Sequence, residues 1–178
     1  DIPKNSNSFN TIYSNSVLEH IVDIESVLKE VYRLLTPEGY FYVTVPTNFF
    51  DNYTILYQLF LLLRLNRLAQ KYRLFFNKFW RHYHCYDDKS WLNLFLKNGF
   101  EAAKVQKYAN KKVCLINDIL APFSIISFIE KKIFNRWFLF KSFRSLYVPL
   151  LKLIFYRVLQ NNSNAENCGL IFFCLKKS

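Results

Sequence analysis

The sequence predicts an α/β fold: a parallel β-α-β unit to which helices have been added. Three observations in its first quarter predict it. Residues 9–13 (FNTIY) are a short apolar run that opens into the polar turn Ser14-Asn15-Ser16. In the next stretch Ile24, Val27, Leu28, Val31, Leu34 and Leu35 recur at three- and four-residue steps and form one apolar stripe of a helix. Residues 40–45 (YFYVTV) then read as a strand rich in aromatic and β-branched side chains, closed by Pro46. Strand, crossover helix and strand in this order pair in parallel, with a right-handed connection.

The helix is the best-signalled element. Asp23 is placed to cap its first turn, and Glu25 adds favourable charge there. Glu25 and Lys29 stand four apart with the acid first. Pro37 and Gly39 stop the helix. The apolar run at 40–45 predicts a strand buried on both faces. Sheets of this kind bind ligands beyond the carboxyl ends of their strands, here Ser14-Asn15-Ser16 and Pro46-Thr47-Asn48. Such polar residues are also the ordinary composition of a βα turn.

Further along, residues 49–67 are nearly continuously apolar up to Arg64, too short a run to span a membrane. Arg64, Arg67, Lys71, Arg73 and Lys78 follow among aromatics. Two readings stand side by side: packed helices with a solvated basic edge, or a lid or lipid-facing surface. In residues 87–100, Trp91, Leu92, Phe95 and Leu96 form a helical stripe that Gly99 terminates. Residues 101–108 alternate as an outer strand would. Residues 119–140, with Pro122, and 143–159, with Pro149, are further apolar-basic segments; 161–167 is a polar loop, and 169–175 a closing strand.

Several of these pieces match one family. Phe9-Asn10-Thr11-Ile12, Val17-Leu18-Glu19-His20, the run Arg33 to Gly39 and Val45-Pro46 stand in the order and spacing of a class I S-adenosylmethionine-dependent methyltransferase. The chain resembles the small-molecule branch of that family, from strand four onward. His82 and Tyr86 ahead of the 87–100 helix resemble a second stretch of the same family. The resemblance implies a partial Rossmann-like methyltransferase sheet, strands four to seven, with added helices. It implies S-adenosyl-L-methionine as cofactor, met by Ser14, Asn15, Ser16 and Val17. It implies an acceptor near Pro46, Thr47 and Asn48, with His82 and His20 as the catalytic candidates. Asn10 stands where the family usually has Asp, and Glu38 where the first glycine of a pair is usual. Glu38 is therefore expected at ordinary φ and Gly39 at positive φ. The family's glycine-rich loop and acidic ribose ligand belong to strands one and two, for which residues 1–8 leave no room. Residues 1–178 are thus expected to form a single incomplete domain, with helical insertions at about 49–80 and 110–160. The chain starts at Asp1 and contains no Met, which reads as a processed or truncated piece.

Composition narrows the partners. With 52% hydrophobic and 21% charged residues, the chain has the make-up of a folded domain. Its net charge of +11 favours anionic partners. No recognisable nucleic-acid module accompanies that charge, so lipid or glycan surfaces rank above nucleic acid. The four cysteines lack a second ligand pair at zinc-finger spacing, and no metal is expected. Isolated among apolar neighbours, Cys114, Cys168 and Cys174 read as buried thiols.

The expected function is the C-terminal part of a methyltransferase acting on a small molecule, lipid or glycan, inactive as this isolated chain, its missing half supplied either by a partner chain or by sequence beyond residues 1–178. Its expected location is cytoplasmic, peripheral on the inner face of a membrane. The alternative is a non-enzymatic module that binds a membrane surface or a partner.

Overall fold

A computed structural model describes residues 2–135, 148–149, 151–153, 155–156 and 166–178. Strand β1 (Phe9–Asn15) leads through a 3-10 turn (Leu18–His20) into helix α1 (Ile24–Leu34), which crosses over to β2 (Leu35–Pro46). β1 and β2 are adjacent and parallel, with Thr11 opposite Tyr40 and Asn15 opposite Thr44. This is the pairing that residues 9–13 and 40–45 predict. Then come α2 (Ile55–Leu62), α3 (Asn66–Trp80), α4 (Asp88–Lys97), β3 (Phe100–Asn110), α5 (Lys111–Phe134) and β4 (Cys168–Lys177). The sheet order is β1-β2-β4-β3, and β4 runs antiparallel to both neighbours. The two late strands expected at 101–108 and 169–175 therefore join the sheet antiparallel to each other.

Helix α1 forms as its sequence dictates. Asp23 accepts a hydrogen bond from the Ser26 N–H at 3.1 Å, satisfying a donor the first turn leaves free. Ile24, Leu28 and Leu34 turn inward. The ion-pair partner of Glu25 is not Lys29 but Lys97 of α4, at 3.0 Å, so this charge joins two helices instead of bracing one. Arg33 pairs with Glu30 at 2.7 Å and donates to the Lys4 carbonyl at 2.9 Å, pinning the segment before β1 against α1.

The helix-to-strand junction corrects the glycine reading. Glu38 is the residue at positive φ (67°), and Gly39 is not at positive φ. Gly39 is needed for space: a Cβ there would lie 2.8 Å from the Thr36 carbonyl oxygen. The β1–β2 register is irregular between Phe9 and Thr11, opposite this stretch, as a bulge requires. Gly99, after α4, does adopt positive φ (+88°), and a Cβ would meet Tyr32 at 2.8 Å.

The core lies on one face of the sheet. Phe41, Val43 and Val45 of β2 and Ile171, Phe173 and Leu175 of β4 alternate inward against Leu28 of α1 and Trp91 and Phe95 of α4. The expectation that β2 is buried on both faces is therefore corrected. On its other face Tyr40 is 37% exposed and Tyr13 of β1 is 76% exposed. There Tyr42 stacks on Tyr13 at 5.4 Å and lies 6.2 Å from Phe172. Tyr and Thr suit a half-covered face as well as a strand interior, so an unbroken aromatic and β-branched run does not separate the two cases.

Residues 49–80 form helices that leave apolar surface in the open. α2 and α3 meet at Arg64, whose φ is 58°. Tyr57 and Ala69 are buried, whereas Leu62, Leu74, Phe75 and Phe79 are exposed. α5 begins eight residues before the expected Ile119 and carries Pro122 inside it. The helical segment expected at 143–159 and the loop at 161–167 fall largely outside the described residues.

Candidate functional site

A cavity of about 370 Å³ opens where β1 and β2 end. Ser16 and Pro46 mark those two strand ends on its wall, and Glu19 and His20 follow from the 3-10 turn. Phe50, Tyr53 and Thr54 come from the loop before α2, Phe76 and Trp80 from the end of α3, and Asn117 and Asp118 from α5. Position follows from topology: a parallel pair leaves its carboxyl ends uncovered, and the helices after β2 fold back over that opening.

His20 and His82 meet there, although 61 residues stand between them in the chain. The His20 Nδ1 lies 3.3 Å from the Arg81 carbonyl, and the two imidazole centroids are 5.0 Å apart. Main-chain bonds zip the two segments together, with the Tyr83 N–H donating to the Glu19 carbonyl at 2.7 Å. His84 extends the seam: its Nε2 donates to the Ile21 carbonyl at 2.8 Å, so its Nδ1 accepts from the Tyr86 hydroxyl at 2.8 Å. Tyr86 thus serves His84, not His82.

A short relay sets the state of His82. Asn77 Nδ2 donates to Asp51 Oδ2 at 2.6 Å, which turns Asn77 Oδ1 toward His82 Nδ1 at 3.3 Å. Nδ1 then carries the proton and Nε2 the lone pair. Burial among Phe50 and Phe76, helped by neighbouring His20, pushes the His82 pKa down to about 4. At neutral pH this ring is an uncharged acceptor.

Glu19 is the least expected member. It is 3% exposed, its Oε1 stands 3.8 Å from His20 Nε2, and its Oε2 is buried without a hydrogen-bond partner. Burial raises its pKa, against its own backbone bond and the charge of His20. Asp118 reaches the same cavity and accepts the Ile55 N–H at 2.8 Å, capping α2. The loop residues and α5 side chains could not be found from spacing, because no periodic or motif signal marks Asp118 or Asn117. Glu19 carried a signal, as a member of the Val17-Leu18-Glu19-His20 run.

The other candidates divide. Pro46 lines the cavity, its carbonyl held at 2.9 Å by the Trp91 indole N–H. Thr47 is buried and donates to the Cys168 carbonyl at 2.5 Å, while Asn48 sits beside Asp88 and Lys107; neither lines the cavity. Ser14 and Asn15 border a groove of about 290 Å³ on the open sheet face, with Tyr42 and Thr44. Ser14 Oγ is buried without a partner, and Asn15 Oδ1 accepts from Thr44 at 2.5 Å, which leaves the Asn15 amide donors facing away. Ser16, at φ 51°, follows Asn15 of the groove and lines the cavity, and Val17 beside it is 48% exposed. The three cysteines divide as well: Cys114 and Cys168 are buried, and Cys174 is half-buried.

Comparison with known proteins gives this geometry a context. Residues 1–105 match the family model described as the methyltransferase domain. YrhH of Bacillus subtilis (strain 168), which carries the name of a methyltransferase, is 38% identical over 48 residues, 27% of each chain. Among solved structures, an S-adenosylmethionine-dependent methyltransferase from Thermotoga maritima superposes with a TM-score of 0.53 at 16% identity, over 100% of this chain and 60% of that one. The [4+2]-cyclase SpnF superposes with a TM-score of 0.52 at 10% identity, over 99% of this chain and 52% of that one. At these identities the likeness is one of fold. The chain spans about a quarter of the curated relative and 60% and 52% of these two structures.

Proposed function

The chain belongs to the methyltransferase domain family of S-adenosylmethionine-dependent enzymes, and from that premise we propose that its cavity holds the methyl acceptor, a small molecule, beside a cofactor lying against Ser14, Asn15, Ser16 and Val17. The supporting observation is the cavity's place: it opens at the carboxyl ends of the parallel pair, and its Ser16 follows directly in the chain on Ser14 and Asn15 of the groove. The residues present fit one side of the cofactor. The unpartnered Ser14 Oγ and the outward Asn15 amide offer polar contacts, and no glycine lies among residues 1–38 to form a phosphate-loop-like cradle. When bound, the cofactor supplies an electrophilic methyl group on sulfur. The chain's own part is orientation and exclusion of water by Phe50, Phe76 and Trp80. His82 Nε2 accepts a hydrogen bond from the acceptor, and Glu19 and His20 stand ready to take up its proton.

The remaining cofactor contacts come from outside residues 1–178, from a partner chain or further sequence, and this chain alone is inactive. Titrating S-adenosylmethionine into residues 1–178 at about 1 mM is expected to give no calorimetric isotherm. At about 10 mM, amide shifts are expected at residues 14–17. A micromolar isotherm would show that the chain builds a whole site. No shift at residues 14–17 would remove the cofactor contact itself.

A second reading follows from α2 and α3. Leu62, Leu63, Leu68, Leu74, Phe75 and Phe79 are exposed there, beside exposed Arg64, Arg67, Lys71 and Lys78. This is the composition of a surface that lies on anionic lipid, and it would bring a lipid or glycan acceptor to the cavity mouth at Trp80. Among the described residues no helix is long and apolar enough to cross a membrane. Co-sedimentation with vesicles should rise with anionic lipid and fall with salt; equal binding to neutral vesicles would remove the electrostatic part.

A further inference from the structure

The cavity's chemistry runs against that of the molecule. The chain carries 24 lysines and arginines against 13 acids, yet among the described residues no lysine or arginine lines this cavity. Its acidic and imidazole lining is Glu19 and Asp118 with His20 and His82. Four aromatic side chains, Phe50, Tyr53, Phe76 and Trp80, share its lining with small and uncharged residues. An anionic ligand would be repelled by the Glu19 carboxylate, a ligand without a donor would leave its buried, unpartnered oxygen desolvated and unpaired, and a neutral hydroxyl would offer it only the weaker, uncharged bond. An ammonium group satisfies it. The N–H groups donate to Glu19 Oε2 and to the lone pair on His82 Nε2, and the alkyl shell of the cation rests against ring faces.

We propose that the cavity selects a small organic amine, bound as its ammonium ion, through the unpartnered Glu19 carboxylate and the Phe50–Tyr53–Phe76–Trp80 aromatic wall. The inference rests on the acceptor-cavity reading and names its substrate class: the bound ammonium must first pass one N–H proton to Glu19 or His20, because only the freed nitrogen lone pair can take a methyl group. The strong positive surface does not oppose it: exposed charges beyond about one Debye length are largely screened, whereas Glu19 acts at contact inside a low-dielectric pocket. Asp118, already committed to the α2 N-terminus through one oxygen, adds to the negative potential without being needed for a direct contact.

The test compares two probes of one shape: 2,2-dimethylpropylamine, an ammonium ion at pH 7, and 2,2-dimethylpropanol, its neutral counterpart. Each is titrated into residues 1–178 by NMR, following the Trp80 indole and the His82 ring. The amine is expected to bind at least about 10-fold more tightly than the alcohol, one well-placed charge-assisted contact being sufficient for that ratio. Glu19→Gln, nearly the same in shape, should bring the two affinities together. Trp80→Leu, at a position 52% exposed and so tolerant of change, should weaken the amine about 3-fold or more while the protein stays folded. Equal binding of amine and alcohol would overturn the amine assignment and leave the cavity reading standing. No binding of either would overturn it as well. The S-adenosylmethionine shifts at residues 14–17, measured on the same sample, then report separately on the cofactor reading.

Discussion

Replacing Trp91 with alanine is expected to destabilise the fold by about 3–5 kcal/mol, the range for an aromatic side chain removed from a closed core. Trp91 is fully buried, stacks on Phe95 with centroids 5.9 Å apart and donates its indole N–H to the Pro46 carbonyl at 2.9 Å. Its loss empties the space between α4 and the sheet and leaves a buried carbonyl unpaired at the end of β2. A domain of this size has about 5–15 kcal/mol of stability in total, so the variant should be largely unfolded in mild urea. Trp91→Phe separates the two contributions: it keeps most of the packing and loses the bond to Pro46, so a smaller cost of about 1–3 kcal/mol is expected. Urea midpoints of the three proteins are the measurement. A Trp91→Ala midpoint within error of wild type would contradict the core described here.

Acidification is expected to weaken the fold through His82. In the unfolded chain this histidine titrates near the ordinary value of about 6.5; in the fold burial holds it at about 4. Above pH 6.5 it is neutral in both states and contributes no pH dependence. As pH falls from 6.5 to 4, the unfolded chain binds a proton that the folded chain refuses, so stability drops through that window and levels off below it. The full shift is reduced for a ring that is partly open to solvent, leaving roughly 2 kcal/mol. Glu19 works in the opposite sense. Its raised pKa means that the fold takes up a proton first as pH falls from neutrality, which regains stability over its own window. The diagnostic quantity is therefore the difference between wild type and His82→Gln, whose amide still donates to Asn77. That difference should shrink as pH falls from 6.5 to 4; a difference independent of pH would refute the neutral, buried state of His82.

What the sequence makes legible here is what is encoded locally. The β1–α1–β2 unit is short, its stripe is complete, and Asp23 caps it as expected. Gly99 marks the end of α4 because only a residue without Cβ fits both its positive φ and the space beside Tyr32. The junction at Glu38–Gly39 was harder, since the requirement on Gly39 is clearance from a carbonyl, which no dihedral preference announces. The cavity divides in the same way. Ser16, His20, Pro46 and His82 stand at strand ends or in recognisable runs. Asp118 and Asn117 reach it from a helix whose apolar side chains are spread around it, and Asp51 bears on it through Asn77, which in turn holds His82. Those roles depend on three-dimensional proximity between segments that share no pattern. Thr47 and Asn48 show the converse: their place after β2 is right for a ligand contact, but the chain turns at Pro46 and carries them away from the cavity.

The strand order has a consequence for how the molecule is made. β4 lies between β2 and β3 and comes later in the sequence than either. During synthesis β1, α1 and β2 can assemble as soon as they leave the ribosome, because their contacts are near in sequence. β3 emerges with no strand to pair with, and so does the inner edge of β2. Both must wait while the ribosome adds the 57 residues between Asn110 and Cys168. Throughout that interval two strand edges stand open, the condition in which nascent chains join wrongly to one another. Among the described strands the last to emerge is the one that joins β2 to β3, and translation speed through the segment between β3 and β4 sets how long the unfinished edges are exposed.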